Sequence, residues 1–323
     1  MISIGNRKTP LISIVVPVYN RVWCLESSVK SIIQTNYPYL EIIIVDDGST
    51  DGSYELSLAL SNQYQSLVKV IHHPERINKG IAATRNLGIQ MSQGYYLAFL
   101  DSDDLYLPNR FKHAITYLYN HPDLLGTIEP YQVISLNNEH EPAINYHLTT
   151  IEILNGSQSL SYLEQMLWFN QYWTMPVITV KREVFTLIGQ FDTSLRFAEE
   201  TALWLKLAAT GKVACPQNEH PVAIVQRHDS HSHSPERDEV ETYCNFMHVL
   251  LDSYDWMRHS TEYKTPDKIS LLKKRLREYA ITCLTHPKIS KAKKLAIYSS
   301  LIKSYWQIVF DKLVLSNFVR NLI

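Results

Sequence analysis

The chain lacks most of the features that would tie it to a redox, membrane or nucleic-acid role. Only four cysteines, Cys24, Cys215, Cys244 and Cys283, occur among 323 residues, with no C-x-x-C pair. That scatter indicates neither a zinc site nor a disulfide framework, and it fits a reducing cytosol. An excess of one charge is also missing: 31 Lys and Arg stand against 32 Asp and Glu, a formal net charge of -1. No overall field argues for nucleic acid or an acidic polymer as partner. Long apolar runs are absent too. Met1 to Pro10 is short and polar, and Leu11 to Val18 is brief and contains Pro17. Neither a signal peptide nor a membrane span is expected, and the protein is expected to stay in the cytoplasm. No internal repeat or low-complexity tract occurs.

What is present is material for a sizeable core, 45% hydrophobic against 20% charged residues, enough for one large domain or two unequal ones. The 20 tyrosines suit sugar contact as well as ordinary half-buried packing. Leu11–Val16, Glu41–Val45, Val68–Ile71 and Tyr95–Leu100 read as strands. Cys24–Thr35, Tyr54–Tyr64 and Ile81–Met91, between them, carry helical signals. This alternation predicts an α/β fold with a mostly parallel, doubly wound sheet flanked by helices. Ligands of such sheets sit at the carboxyl ends of the strands, where Tyr19-Asn20, Asp46-Asp47 and Asp101 to Asp104 fall. Further helices are expected at 108–121, 160–168 and 199–210, the last ending at a Gly211 cap, with strands at 131–136 and 177–180. Beyond about Pro235 only helical signals remain, so the division expected is residues 1–235 as the α/β domain and 236–323 as a helical extension.

The densest chemistry is Asp101-Ser102-Asp103-Asp104, three carboxylates in four residues at the end of an apolar strand. Like charges that close are unfavourable unless a cation or strong donors sit among them. Hard oxygen ligands on a short loop suit Mg²⁺ or Mn²⁺, which take one or two carboxylates and complete their shell with phosphate and water, and so predict a diphosphate ligand. Asp103 or Asp104 as a cap for the following helix is the alternative. Asp46 and Asp47, at another strand end, can accept from a base N–H or a ribose hydroxyl, whereas Asp51 also fits an Asx turn capping the next helix. Arg85 lies on the helix before the acidic strand, placed to pair with carboxylates or with a diphosphate.

Val15-Val-Pro-Val-Tyr-Asn20, Val45-Asp-Asp-Gly-Ser-Thr-Asp51, Asn78-Lys-Gly80 with Thr84-Arg-Asn86, and Phe99-Leu-Asp-Ser-Asp-Asp104 together resemble the family 2 glycosyltransferases, in the family's order and spacing. The resemblance continues through Ile188-Gly-Gln-Phe-Asp192 and Phe197-Ala-Glu-Glu200 to Arg227-His228, covering roughly residues 11 to 235. It implies the GT-A fold, a nucleotide-diphosphate sugar donor (a UDP-sugar being commonest), a divalent metal, Mn²⁺ or Mg²⁺, and inversion at the anomeric carbon. By position, Pro17, Tyr19, Asp46 and Asp47 would hold the nucleoside. Asp101 would touch ribose or metal with Ser102 beside it, Asp103 would be the principal metal ligand, and Arg85 would serve the nucleotide or diphosphate. Where the family commonly shows Glu-Asp, this chain has Glu199-Glu200. A glutamate carboxylate can still take a hydroxyl proton, so Glu200 is the expected general base with Glu199 beside it, although its extra methylene changes the positioning. Both glutamates would also favour a helix N-terminus through its dipole. His228, after Arg227, is a candidate metal ligand or diphosphate contact, with His231 and His233 weaker candidates.

The expected acceptor is a hydroxyl of a glycan or lipid-linked saccharide, in polysaccharide or glycoconjugate synthesis. The aromatic run Trp168 to Trp173 could form its wall or pack in the core. Residues 264–294 hold ten Lys and Arg against two Asp and Glu, ahead of an apolar stretch broken by charges. Such a tail could touch an anionic membrane at the cytoplasmic face, or dock on the catalytic domain or a second copy. Two other readings stand beside the transferase. A nucleotidyltransferase would be expected to carry a Gly-rich basic phosphate loop, which Val15 to Asn20 lacks. A binding module without a competent base is the other.

Overall fold

The computed structural model describes residues 9–136, 149–151, 161–169, 173–216, 220–228, 239–309 and 312–322. Two compact units form. One comprises Met1–Gln158, Trp173–Thr193 and Lys212–His233; the other comprises Ser159–Tyr172, Ser194–Gly211 and Ser234–Ile323. The tail beyond residue 236 thus shares its unit with two earlier segments.

In the first unit, β1 (Ile12–Val18), β2 (Leu40–Asp46) and β3 (Val68–His72) alternate with α1 (Leu25–Ile33), α2 (Ser53–Gln63) and α3 (Ile81–Met91), and β4 (Tyr96–Phe99) follows. The β-branched runs form strands because both their faces are covered: Ile12, Ile14, Val15, Val16 and Ile42 to Val45 are fully buried, as parallel strands between helical layers require. Helix α1 turns Leu25, Val29 and Ile32 inward at helical spacing. After β4 come β5 (Leu105–Tyr106), α4 (Lys112–Asn120), β6 (Gly126–Ile128), β7 (Tyr131–Leu136) and β8 (Thr149–Ile151). In the second unit α5 (Tyr162–Phe169) precedes a return to the first with β9 (Ile178–Lys181) and α6 (Val184–Leu187).

Seven strands join in the order β10-β6-β9-β4-β1-β2-β3, where β10 is Val213–Ala214. All neighbours are parallel except around β9, which runs antiparallel to both β4 and β6. A second sheet, β5-β11-β7-β8, is completed by β11 (Ala223–His228). The expected doubly wound sheet is therefore present, and the strand expected at 131–136 is β7 of the second sheet. Strands β5 and β8 of that sheet, like β6 and β10, are two or three residues long, too short for alternation to be read. The helix expected at 108–121 starts only at Lys112, because Asn109 takes a left-handed φ of 64° and the chain turns there, with Arg110 N–H donating to Leu107 O.

The second unit is helical: α5, α7 (Glu199–Thr210), α8 (Glu239–His259), α9 (Pro266–Thr285), α10 (Lys291–Val309) and α11 (Lys312–Leu322). Helix α7 coincides with the range expected from sequence and ends at Gly211, whose φ is 71°. Helix α9 opens on Thr265, whose hydroxyl accepts from Lys268 N–H, with Pro266 in the first turn. No helix among the described residues is long and apolar enough to cross a membrane.

Two buried charge clusters hold the first unit together. Arg110 and Glu129, neither exposed, pair at 2.5 Å, and Arg110 Nε also donates to Pro176 O at 2.9 Å. Glu41, at the start of β2, accepts from Ser13 Oγ, Gln93 N–H and Gly94 N–H and pairs with Lys69 at 2.8 Å. Burial alone would raise the Glu41 carboxyl, but Lys69, Ser13 and the Gln93 N–H outweigh it and hold it below the usual carboxylate range. Two outcomes follow for the folded protein. Arg110→Met should lower unfolding free energy by about 3–5 kcal/mol by stranding a buried carboxylate, and adding Glu129→Leu should recover much of that loss in denaturant titrations. For Glu41 the contribution is fully present above its unfolded value, about 4.3, and is lost as pH falls through the depressed folded value. The stability gap between wild type and Glu41→Gln, followed by thermal unfolding from pH 7 down, should narrow only below about pH 4.

Candidate active site

Because β4, β1 and β2 are adjacent and parallel, their carboxyl ends open on one cleft. A cavity of about 360 Å³ lies there, lined among others by Pro17 near the end of β1, Tyr19 and Arg21 after it, Asp47 after β2, Arg85 on α3, and Asp101 to Asp103 after β4. Tyr19 is half exposed and lines it.

The two aspartates that close β2 have different work. Asp46 is fully buried and its Oδ2 accepts from the N–H groups of Gly48 and Ser49, so it builds the turn and does not line the cavity. Asp47 does line it, with Oδ1 accepting from Lys79 N–H at 2.7 Å and Oδ2 from Gly80 N–H at 3.0 Å. His73 Nε2 lies 3.7 Å from Asp47 Oδ1. The turn requires glycine at 48: φ is +80° and a Cβ would come within 2.6 Å of Arg76 O. Asp51 takes the Asx-turn role, accepting from Ser53 N–H at the start of α2 and also from Val22 N–H of the β1–α1 connection. Burial would raise its carboxyl, yet the bonds from Ser53 and Val22 hold it below the usual range.

The acidic loop after β4 resolves its crowding by dispersal. Asp101 pairs with Arg85 at 2.8 Å, Asp103 lies 3.4 Å from Arg21 Nε, and Asp104, buried, accepts from Gln226 N–H at 2.9 Å. Asp104 therefore ties β11 to the loop, and it caps no helix, the next one starting only at Lys112. Ser102 is buried on the cavity wall. Arg85 is buried on α3 beneath the Phe191 ring, 5.5 Å from its centroid. The adjacent Asn86 side chain exchanges two hydrogen bonds with the Phe191 backbone, at 2.8 and 2.9 Å. One turn on, Gly88 lets α3 press against β1, since a Cβ there would meet Val15 Cγ1 at 2.3 Å.

Among the described residues no three His, Cys, Asp or Glu side chains converge as a metal cage. The chemistry of the site nevertheless fits a hard cation of the Mg²⁺ or Mn²⁺ kind, because Asp101 and Asp103 both line the cavity and two carboxylates are what such a cation takes from protein. His228 ends β11, paired in register with Leu136, and its side chain lies outside the described residues, as do His231 and His233. Glu199 and Glu200 stand in the first turn of α7, in the second unit. Trp168, also there, lies under Lys274 Nζ at 5.5 Å, while Trp173 is buried in the first unit, and residues 170–172 of that aromatic run fall outside the described residues.

Nothing in the sequence singles out Arg21 or His73. Arg21 follows Asn20 in a turn whose exposed charges are ordinarily solvated, and only the fold sets it across from Asp103. His73 likewise reaches Asp47 only because β3 pairs with β2.

Comparisons with known proteins bear on the family and the fold. The model of glycosyl transferase family 2 matches residues 13–180. A Haemophilus influenzae protein described as an uncharacterized glycosyltransferase is 34% identical over 230 residues, covering 67% of this chain and 85% of the relative. The structure of S. aureus TarS residues 1–349 in complex with UDP-GlcNAc is similar in fold, with a TM-score of 0.68 at 15% identity over 97% of this chain and 89% of that one. A mannosyltransferase of Pyrobaculum calidifontis, PcManGT, in complex with GDP-Man and Mn²⁺, has a TM-score of 0.53 at 15% identity, covering 98% of this chain and 88% of its own. A nucleotidyltransferase is set aside by these matches. With its mostly parallel sheet and its cleft at the strand ends, the chain belongs to glycosyl transferase family 2 and is a glycosyltransferase of GT-A fold.

Proposed function

We propose that the chain transfers a sugar, with inversion, from a nucleoside-diphosphate sugar to a hydroxyl of a glycan or lipid-linked saccharide at the cytoplasmic face of a membrane. The carrying observation is the single cavity that gathers Tyr19, Asp47, Arg85, Asp101 and Asp103 from three adjacent strand ends and one helix. In this reading Tyr19 and Pro17 flank the base, Asp47 accepts from the nucleoside, and Arg85 and Arg21 face the diphosphate. A divalent cation held by Asp103 and Asp101 would neutralise the charge that develops on the departing diphosphate. Glu200 takes the proton of the acceptor hydroxyl as its oxygen bonds to the anomeric carbon, and the bond from that carbon to the diphosphate oxygen breaks. Support for a set position of the two glutamates comes from Ala198, which caps α7 in the left-handed region at φ 65°, a conformation alanine adopts only when its surroundings impose it. The exposed apolar residues Leu295 and Ile302 of α10 and Leu315 and Val319 of α11, on a lysine-rich tail, support peripheral contact with an anionic membrane; a second copy is the other partner such a face could take.

The test is a panel of UDP- and GDP-sugars with Mn²⁺, read by thermal unfolding. A true donor at about 100 times its Kd should add about 2.7 kcal/mol of stability, and no stabilisation by any of them would count against the reading. Glu200→Gln should keep that stabilisation while losing transfer by about 10²-fold or more, as measured by product formation. Asn86→Ala, which frees α3 from Phe191, should weaken donor binding more than it lowers the rate at saturating donor, because it acts on the placement of Arg85 and not on the base.

A further inference from the structure

The two arginine–aspartate pairs of the cavity differ in a way that bears on how the site accepts a metal. Arg85 and Asp101 meet at 2.8 Å, within the range of a strong charge-assisted hydrogen bond, and Arg85 is 4% exposed. Arg21 Nε stands 3.4 Å from Asp103 Oδ2, longer than such a bond, and both side chains are about one-fifth exposed, at 23% and 21%. Asp101 is the more exposed carboxylate, at 32%, but its partner Arg85 is buried, so the Arg21–Asp103 pair, longer and with the more exposed guanidinium, is the readier to separate.

Arg21 is delivered to this position by its backbone. Its N–H donates to Ser53 Oγ at 2.7 Å, and its carbonyl accepts from Cys24 and Leu25 N–H at the start of α1. The main chain is thus held while the side chain retains a choice of direction, its Nη1 also donating to Asn20 O at 3.1 Å. The cavity lining carries two arginines and three aspartates, a net of one negative charge, against a ligand that is itself an anion. A second cation on Asp103 would reverse that sign, and it would also release a guanidinium whose geometry matches phosphate oxygens.

We propose, on the reading of this cavity as the donor site, that Arg21 and the divalent cation compete for Asp103, and that Arg21, once displaced, turns to the donor diphosphate. Arg21 is then a positioning residue that couples the two ligands. A cation alone must break an existing ion pair, whereas a cation arriving with a nucleoside diphosphate offers Arg21 a new anion. Metal and nucleotide must accordingly bind with positive, reciprocal coupling.

Binding measurements test this without recourse to activity. Mn²⁺ is titrated by loss of its free electron-spin-resonance signal, on the full chain, with and without UDP or GDP. Wild type should bind Mn²⁺ weakly alone and at least about 5-fold more tightly with whichever nucleotide binds. Arg21→Gln should bind Mn²⁺ alone more tightly than wild type and lose most of the gain from nucleotide, and Arg21→Lys, which keeps the charge, should stay near wild type. An Arg21→Gln protein whose Mn²⁺ affinity is unchanged or weaker without nucleotide, or whose nucleotide-dependent gain equals that of wild type, overturns the competition. Asp103→Asn should abolish Mn²⁺ binding. If it does not, the donor-site reading itself fails, and the proposal with it. An unfolding midpoint near that of wild type confirms that each variant compared is folded.

Discussion

The acidic loop at the end of β4 imposes the constraint on which the cleft at the strand ends depends. Three carboxylates in four residues cannot stay ionised side by side without cations or strong donors, and each receives one from a different part of the chain. Arg85 on α3 meets Asp101, Arg21 of the β1–α1 turn faces Asp103, and the Gln226 amide of β11 meets Asp104. Neutralising the loop therefore locks one helix, one turn and the second sheet around the same point. The cleft is a consequence of that arrangement as much as of the strand order.

Contacts behind the cleft tie the arrangement together. Asn86 and Phe191 join two segments more than a hundred residues apart through a pair of side-chain-to-backbone bonds, and Arg85 lies on the Phe191 ring. Gly88 brings α3 close enough to β1 for this to happen, and Gly48 lets the β2 turn pass beneath the Arg76 carbonyl. At the opposite ends of the strands, Glu41 gathers Ser13, Lys69 and the amides of residues 93 and 94, so the same strands are tied at both ends.

Carboxylates of one chemical type are thereby given separate tasks by their surroundings alone. Asp46 builds a turn and Asp47 borders the cavity although they are neighbours in sequence, because successive residues at the end of a strand point to opposite sides. Asp103 keeps a long pairing with Arg21 while Asp101 keeps a short one with Arg85.

By itself, the sequence determined the order of strands and helices over the first hundred residues, the place of the cleft at the strand ends, the membership of Tyr19, Asp47, Arg85, Asp101 and Asp103 in it, and helix α7 with its two leading glutamates. These are legible because burial on both faces writes continuous apolar runs, and because polar residues at strand ends have few other reasons to cluster. The tertiary structure alone decided the rest: the pairing of the expected strand 131–136 into a second sheet, whose strands β5 and β8 are too short to carry a period; the buried Arg110–Glu129 pair, whose residues look like surface charges until packing encloses them; the withdrawal of Asp46 and Asp104 into structural bonds; and the meeting of Arg21 with Asp103 across 82 positions of chain. Each depends on which distant group a side chain meets, and that is set by the packing of whole elements, not by local propensity.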